Sequence, residues 1–157
     1  NIRSLTAATL YPAVGLLESA NVSVGRGTEL PFEVLGAPWI NGETLAAALT
    51  ALDLPGVRFV PTQFTPRASV YKGEACQGVR ILLTDRETFR AVRTGLEIAA
   101  TLHRLYPGTF LLEKVQQLLG NRAAMEWLRR GDGRAAAGAD GEALEAFLRV
   151  RERYLLY

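Results

Sequence analysis

"QGVRILLTDRETFRAVRTGLEIAATLHRLY", residues 77–106, changes its hydrophobic period partway along. Val79, Ile81 and Leu83 alternate, which is the period-two signature of a half-buried strand. Beyond Thr84 the spacing becomes helical: Phe89, Val92, Leu96, Ala99, His103 and Tyr106 predict a helix over 86–106. Thr84 and Glu87 have the spacing of a capping box, and Asp85 reads as a helix-entry residue rather than a catalytic acid.

Working upstream, "FEVLGAPWI" (32–40) and "GVRFVPTQF" (56–64) are β-prone. The expectation is a small mixed sheet from segments 32–35, 57–64 and 79–84, covered by the 86–106 helix. "TPRASVYKGEACQ" (65–77) forms a hairpin-like excursion with Gly73 easing the turn. Asn41 can cap a helix that places Leu45, Ala48, Leu49 and Leu52 on one face. A shorter helix from Ser4 is expected to stop before Pro12, because a residue preceding proline disfavours helical backbone.

Downstream, helical patterning continues near 109–119 and 122–130. "GDGRAAAGADG" (131–141) reads as an exposed loop, followed by a last helix with Leu144, Phe147 and Leu148 on its inner face. The fold class is therefore α+β, one domain over 1–157, with a helical C-terminal half.

Composition narrows function. The 157 residues are 48% hydrophobic and 22% charged, enough for one core. A net charge of +2 with interleaved acids and bases gives no field for general nucleic-acid binding. One cysteine, Cys76, and one histidine, His103, leave no basis for a disulfide framework or a histidine metal cluster, and no metal or cofactor is expected. No apolar run reaches the roughly 20 residues needed to span a bilayer. Asn1 is not an initiator methionine and no signal-peptide pattern follows it, so the chain reads as a mature or excised piece.

Chemistry concentrates in "LLESANVSVGRGTELPFEVLGAPWI" (16–40), where Arg26 stands between Gly25 and Gly27. The glycines begin like a dinucleotide fingerprint, but Leu30 occupies the third glycine position and no βαβ start precedes them. Glu18, Asn21, Ser23, Arg26 and Thr28 gather polar groups instead, and an arginine fork there can bind a carboxylate bidentately. Glu18 is a candidate general acid or base, or equally a structural partner for Arg26. Glycoside hydrolysis usually needs two carboxyl groups, and spacing leaves open whether Glu29 or Glu33 reaches Glu18. His103, on an apolar stripe, reads as a core histidine. Of Trp39, Tyr71 and Trp127, Trp39 is the best sugar-stacking candidate because it follows the polar stretch closely.

"LYPAVGLLESANVSVGRGTELPFEVLGAPWI", "GVRFVPTQFTP", "CQGVRILLTDRETFRAV", "LYPGTF" and "FLRVRERYLLY", in this order across the chain, resemble the C-terminal half of the NamZ-type exo-β-N-acetylmuramidases. The resemblance implies a two-domain peptidoglycan glycosidase whose Rossmann-like N-terminal domain, absent here, is this chain's partner across a sugar-binding cleft. Such enzymes release N-acetylmuramic acid from the non-reducing ends of peptidoglycan fragments by hydrolysing a β-1,4 bond, and act after export. The cleft-facing motif corresponds to Glu18–Thr28, where many relatives carry glycine and threonine at Ser19 and Ala20 and some carry glutamate at Val24. On this expectation Asn21, Ser23, Arg26, Thr28 and Trp39 contact the sugar, and Arg26 pairs with the lactyl carboxylate. Glu18 is the catalytic candidate. The alternatives are a non-catalytic sugar-binding module and a purely architectural domain.

Overall fold

The computed structural model describes residues 2–156. Three strands, β1 (Val34–Ala37), β2 (Val57–Phe64) and β3 (Cys76–Leu83), form one sheet in the order β1-β3-β2. The sheet expected as mixed is antiparallel in both pairings. The β2–β3 hairpin pairs Val57 with Leu83 and Phe64 with Cys76, so residues 65–75 form the predicted excursion between them. On β3, Val79 and Ile81 are buried and Leu83 is half-buried, as the alternation requires.

Seven α-helices accompany the sheet among the described residues. Helix α1 (Leu5–Val14) is capped by Ser4, whose hydroxyl accepts from the Ala7 amide. It does not stop before Pro12 but runs through it. Leu10, Ala13 and Val14 lie fully buried on either side of the proline, and burying that stripe outweighs the backbone hydrogen bond that proline cannot donate. Helix α2 (Gly42–Thr50) is capped by Asn41, which accepts from the Thr44 amide, and it buries Leu45, Ala46 and Leu49.

Helix α3 (Ala91–Leu105) starts later than its hydrophobic period implies. The Thr84/Glu87 capping box does not form. Instead Asp85 accepts from the Glu87 amide and the Thr88 hydroxyl, closing a separate turn ahead of the helix. The Thr88 hydroxyl, then the Glu87 amide, hold the Asp85 carboxyl below its ordinary range. Phe89 is buried before the helix begins, and Val92 is exposed within it. Residues Thr94–Leu102 are buried all round, the mark of a central helix. Thus α2, rather than α3, lies directly on β2 and β3, while α3 packs behind it against α1 and α2.

The C-terminal half holds a 3-10 turn (Leu112–Val115), α4 (Gln116–Leu119), α5 (Arg122–Arg129), α6 (Gly133–Ala137) and α7 (Gly141–Arg151). Two sequence expectations are overturned here. "GDGRAAAGADG" is not an exposed loop: Asp132 caps α6 by accepting from the Ala135 amide, and Gly131, Gly133 and Ala136 are buried. Gly133 sits so close to α3 that a Cβ would meet the Glu97 Cα at 2.6 Å, and small residues are what allow that approach. In α7, Leu144, Phe147 and Leu148 do not face inward but remain 57%, 59% and 43% exposed. Their helical spacing is real, but nothing among the described residues covers them.

Candidate functional site

The polar stretch begins where α1 passes into a 3-10 turn (Gly15–Leu17) that delivers Glu18. From there Ala20, Val22 and Val24 are buried while the residues between them reach other segments. Ser23 forms a backbone bridge to Gly36 of β1, with N–O distances of 2.8 and 3.0 Å. One isolated bridge therefore ties the loop to the outer edge of β1.

Arg26 is held on two sides. Its Nε donates to a Glu18 carboxylate oxygen, and both side chains keep about a quarter of their surface in solvent, at 25% and 26%. The guanidinium carbon stands 5.0 Å over the Phe32 ring, and Tyr11 packs edge-on against that ring at 4.8 Å. The bond to Glu18 raises the pKa of Arg26 further. Neither terminal guanidinium nitrogen makes a hydrogen bond among the described residues, so the end-on fork is open. A cavity of about 210 Å³ lined by Tyr11, Pro12, Gly15, Leu16, Glu18 and Leu118 adjoins the pair.

The glycines flanking Arg26 have a backbone reason. Gly25 and Gly27 take φ of 78° and 79°, the left-handed region. A Cβ on Gly27 would fall 2.3 Å from the Ala68 amide nitrogen, and one on Gly25 would fall 2.7 Å from the Leu30 carbonyl oxygen. The Gly27 carbonyl accepts from the Arg67 amide at 3.1 Å, which fastens the loop to the β2–β3 excursion.

The other predicted contacts are engaged within the fold. The Asn21 carboxamide donates to the Thr109 carbonyl at 2.9 Å and accepts from the Leu111 amide at 2.8 Å. Ser23 is buried, with its hydroxyl toward the Gly25 amide. The Thr28 hydroxyl donates to the Gly25 carbonyl and accepts from the Leu30 amide, closing the turn internally. Trp39 is half-buried: its indole N–H donates to the Tyr71 hydroxyl, and its ring meets Tyr106 edge-on at 5.2 Å. Tyr71 in turn donates to the Asn21 carbonyl.

No second carboxylate contacts Glu18 among the described residues. Glu33 accepts from the Ser4 hydroxyl, and Glu29 is exposed. Sequence reading missed the partners of Trp39 and Asn21, because Tyr71, Tyr106 and the 109–111 backbone lie 32 to 90 positions away. It also missed a second cavity, of about 570 Å³, lined by His103, Phe110, Leu111, Glu113, Lys114 and Arg129 among others. There the bidentate Arg129 fork lowers the pKa of the Glu113 carboxyl.

Comparison with known proteins agrees with this architecture. The family described as "Exo-beta-N-acetylmuramidase NamZ, C-terminal" matches residues 9–157. The peptidoglycan β-N-acetylmuramidase NamZ of Bacillus subtilis (strain 168) is 38% identical over 161 residues, covering all of this chain and 39% of the relative. Two crystal structures of DUF1343 family proteins from Bacteroides fragilis are similar. One has a TM-score of 0.73 at 27% identity, covering 96% of this chain and 42% of the other. The second has a TM-score of 0.69 at 25% identity, covering 98% and 41%. The chain thus spans about two fifths of the length of these relatives, and it belongs to the NamZ C-terminal domain family.

Proposed function

We propose that this chain is the C-terminal part of an exo-acting β-N-acetylmuramidase. The whole enzyme removes terminal N-acetylmuramic acid from peptidoglycan fragments outside the cytoplasm. This part forms one wall of a cleft whose other wall belongs to a Rossmann-like domain. The observation carrying this reading, beside family membership, is the open fork of Arg26. Glu18 occupies the Nε side and Phe32 supports the guanidinium face, which leaves the two terminal nitrogens without a hydrogen bond among the described residues. That geometry suits the lactyl carboxylate that distinguishes N-acetylmuramic acid from N-acetylglucosamine.

In this reading Glu18 orients Arg26, while Asn21, Ser23 and Thr28 hold the loop that presents it. The sugar meets the arginine rather than those three side chains. Trp39 and its aromatic neighbours buttress the loop from behind. Glu18 is engaged with Arg26, so in this reading the carboxyl groups that glycoside hydrolysis uses are supplied at least in part by the rest of the enzyme. The 157-residue chain by itself then folds without turning over muramides.

The test uses the longer enzyme. Arg26→Lys replaces a planar two-donor fork with a point charge, and Arg26→Ala removes the donor altogether. A charge-assisted contact contributes roughly 1.5–3 kcal/mol, so kcat/KM on muramides is expected to fall about tenfold to over a hundredfold, with alanine the worse. The preference for N-acetylmuramic acid over N-acetylglucosamine falls with it. An unchanged preference in Arg26→Ala, accompanied only by a lower Tm, makes the arginine a brace for the turn and removes it from recognition.

A further inference from the structure

Helix α7 has no buried residue, yet it carries several large exposed apolar side chains. Leu144, Phe147, Leu148 and Val150 are 57%, 59%, 43% and 50% exposed, and the chain continues through Tyr154, Leu155 and Leu156 at 79%, 45% and 94%. Leu144, Phe147 and Leu148 follow helical spacing on α7, Leu155 lies just past it in extended backbone, and Glu142, Glu145, Arg149 and Arg153 supply charges around them. Scattered exposed leucines are ordinary on a protein surface. Three large apolar side chains, Leu144, Phe147 and Leu148, exposed together on one helical face are less so, and grouped apolar surface marks interfaces. The helix has only 11 residues, at or below the length at which a helix stands alone in water, so a covering partner explains why it forms.

Two facts identify the cover. The family match runs to residue 157, so α7 belongs to the shared domain and is not an appended tail. The relatives extend well beyond the matched region, which is 39% of one and 41–42% of two others. A shared apolar helix is matched most simply by a surface that the family also shares. We propose that the α7 face is the docking surface for the remainder of the longer polypeptide, holding the two parts of the enzyme in fixed relation. This rests on the reading that the chain functions as part of a longer muramidase. It adds that the parts are joined through α7 and not only across the sugar cleft at Arg26.

Hydrogen exchange on the full-length protein tests this directly. With the remainder seated on α7, the amides of residues 144–154 are protected at least about a hundredfold over unstructured peptide rates, at protein concentrations where sedimentation shows only monomer. Phe147→Asp combined with Leu148→Asp abolishes that protection while the amides of Thr94–Leu102 in α3 keep theirs. Exchange of 144–154 at peptide rates in the wild-type monomer overturns the proposal. So does protection that appears only as dimer forms, which assigns the face to a second copy. The wild-type measurement decides the matter even if the double variant misfolds. Activity is a separate readout: an active enzyme with an unprotected α7 defeats the docking alone, and a protected α7 in an enzyme inert on muramides defeats the functional reading alone.

Discussion

The 16–40 loop and helix α7 invert what their side chains lead one to expect. The loop is rich in polar groups, yet Asn21, Ser23 and Thr28 are bonded into the fold much as core residues are. The helix is rich in apolar groups, yet they face solvent as a charged surface would. Residue chemistry sets what a side chain can do, while long-range packing decides whether that capacity is already satisfied. The loop leaves one capacity open, the Arg26 fork, and α7 leaves almost all of its own open.

The hardest way to break this contrast is at Gly27. A side chain there meets the Ala68 amide nitrogen at 2.3 Å and also suffers the left-handed backbone. Gly27→Ala is expected to destabilise by about 3 kcal/mol or more in denaturant unfolding. Gly73 supplies the control, since its φ is 81° but nothing lies within 4 Å of an added Cβ. Gly73→Ala therefore costs only the backbone preference, about 1 kcal/mol. Equal effects at the two positions remove the claim that the Arg26 loop is locked by close backbone approach.

Asn21 sharpens the same point. Its carboxamide satisfies both a carbonyl and an amide of the 109–111 segment, so Asn21→Ala leaves two backbone groups without their partner. A loss of about 2 kcal/mol is expected. In the proposed longer enzyme this is expected to lower Tm while sparing the sugar preference that Arg26→Ala is expected to shift. A variant that keeps full stability but loses that preference reverses the two roles.

What the sequence made legible follows the same division. Period and capping found β2, β3, α2 and the central helix, because those signals are local and the packing agrees with them. The errors arise where a distant segment decides. Pro12 remains helical because its neighbours are buried, and Gly133 is covered because, lacking a Cβ, it fits directly against α3. The late start of α3 reflects Asp85 closing a turn of its own in place of the expected capping box. At the site, Arg26 and Glu18 were identified as possible partners, but Tyr71 and the 109–111 backbone carry no short-range signal of their contacts with Asn21.

A smaller effect comes from the α3–α6 seam, where the C-terminal half is packed as tightly as the loop. Glu97 is buried against Gly133, and desolvation raises its pKa despite opposing fields from Arg93, Arg104 and Arg134. The folded state thus holds the proton more tightly than the unfolded chain does. Stability therefore falls as pH rises from the ordinary value of 4.5 through the raised one. Glu97→Gln is expected to melt higher than the wild type at neutral pH, and that advantage shrinks as pH approaches 4.5. A lower Tm across the whole range assigns Glu97 a net attractive role with the arginines.

The smallest effect is the most discriminating for α7. Phe147 is 59% exposed, so Phe147→Ser removes little buried area from this chain, and its unfolding free energy is expected to change by less than about 0.5 kcal/mol. A phenylalanine in a core loses about 3–5 kcal/mol when cut back to alanine, and a comparably large loss here means that the face is covered within the 157 residues after all. The same substitution in the proposed longer enzyme tests what lies against α7. If the remainder of the polypeptide seats on α7, Phe147 is buried there and its loss lowers Tm. The difference between the two Tm shifts isolates the contribution of the partner surface, because the side chain, the helix and their local propensities are identical in both measurements. Equal small shifts leave α7 as open surface in both settings, and the contrast with the 16–40 loop is then one of unused residues rather than of a missing partner.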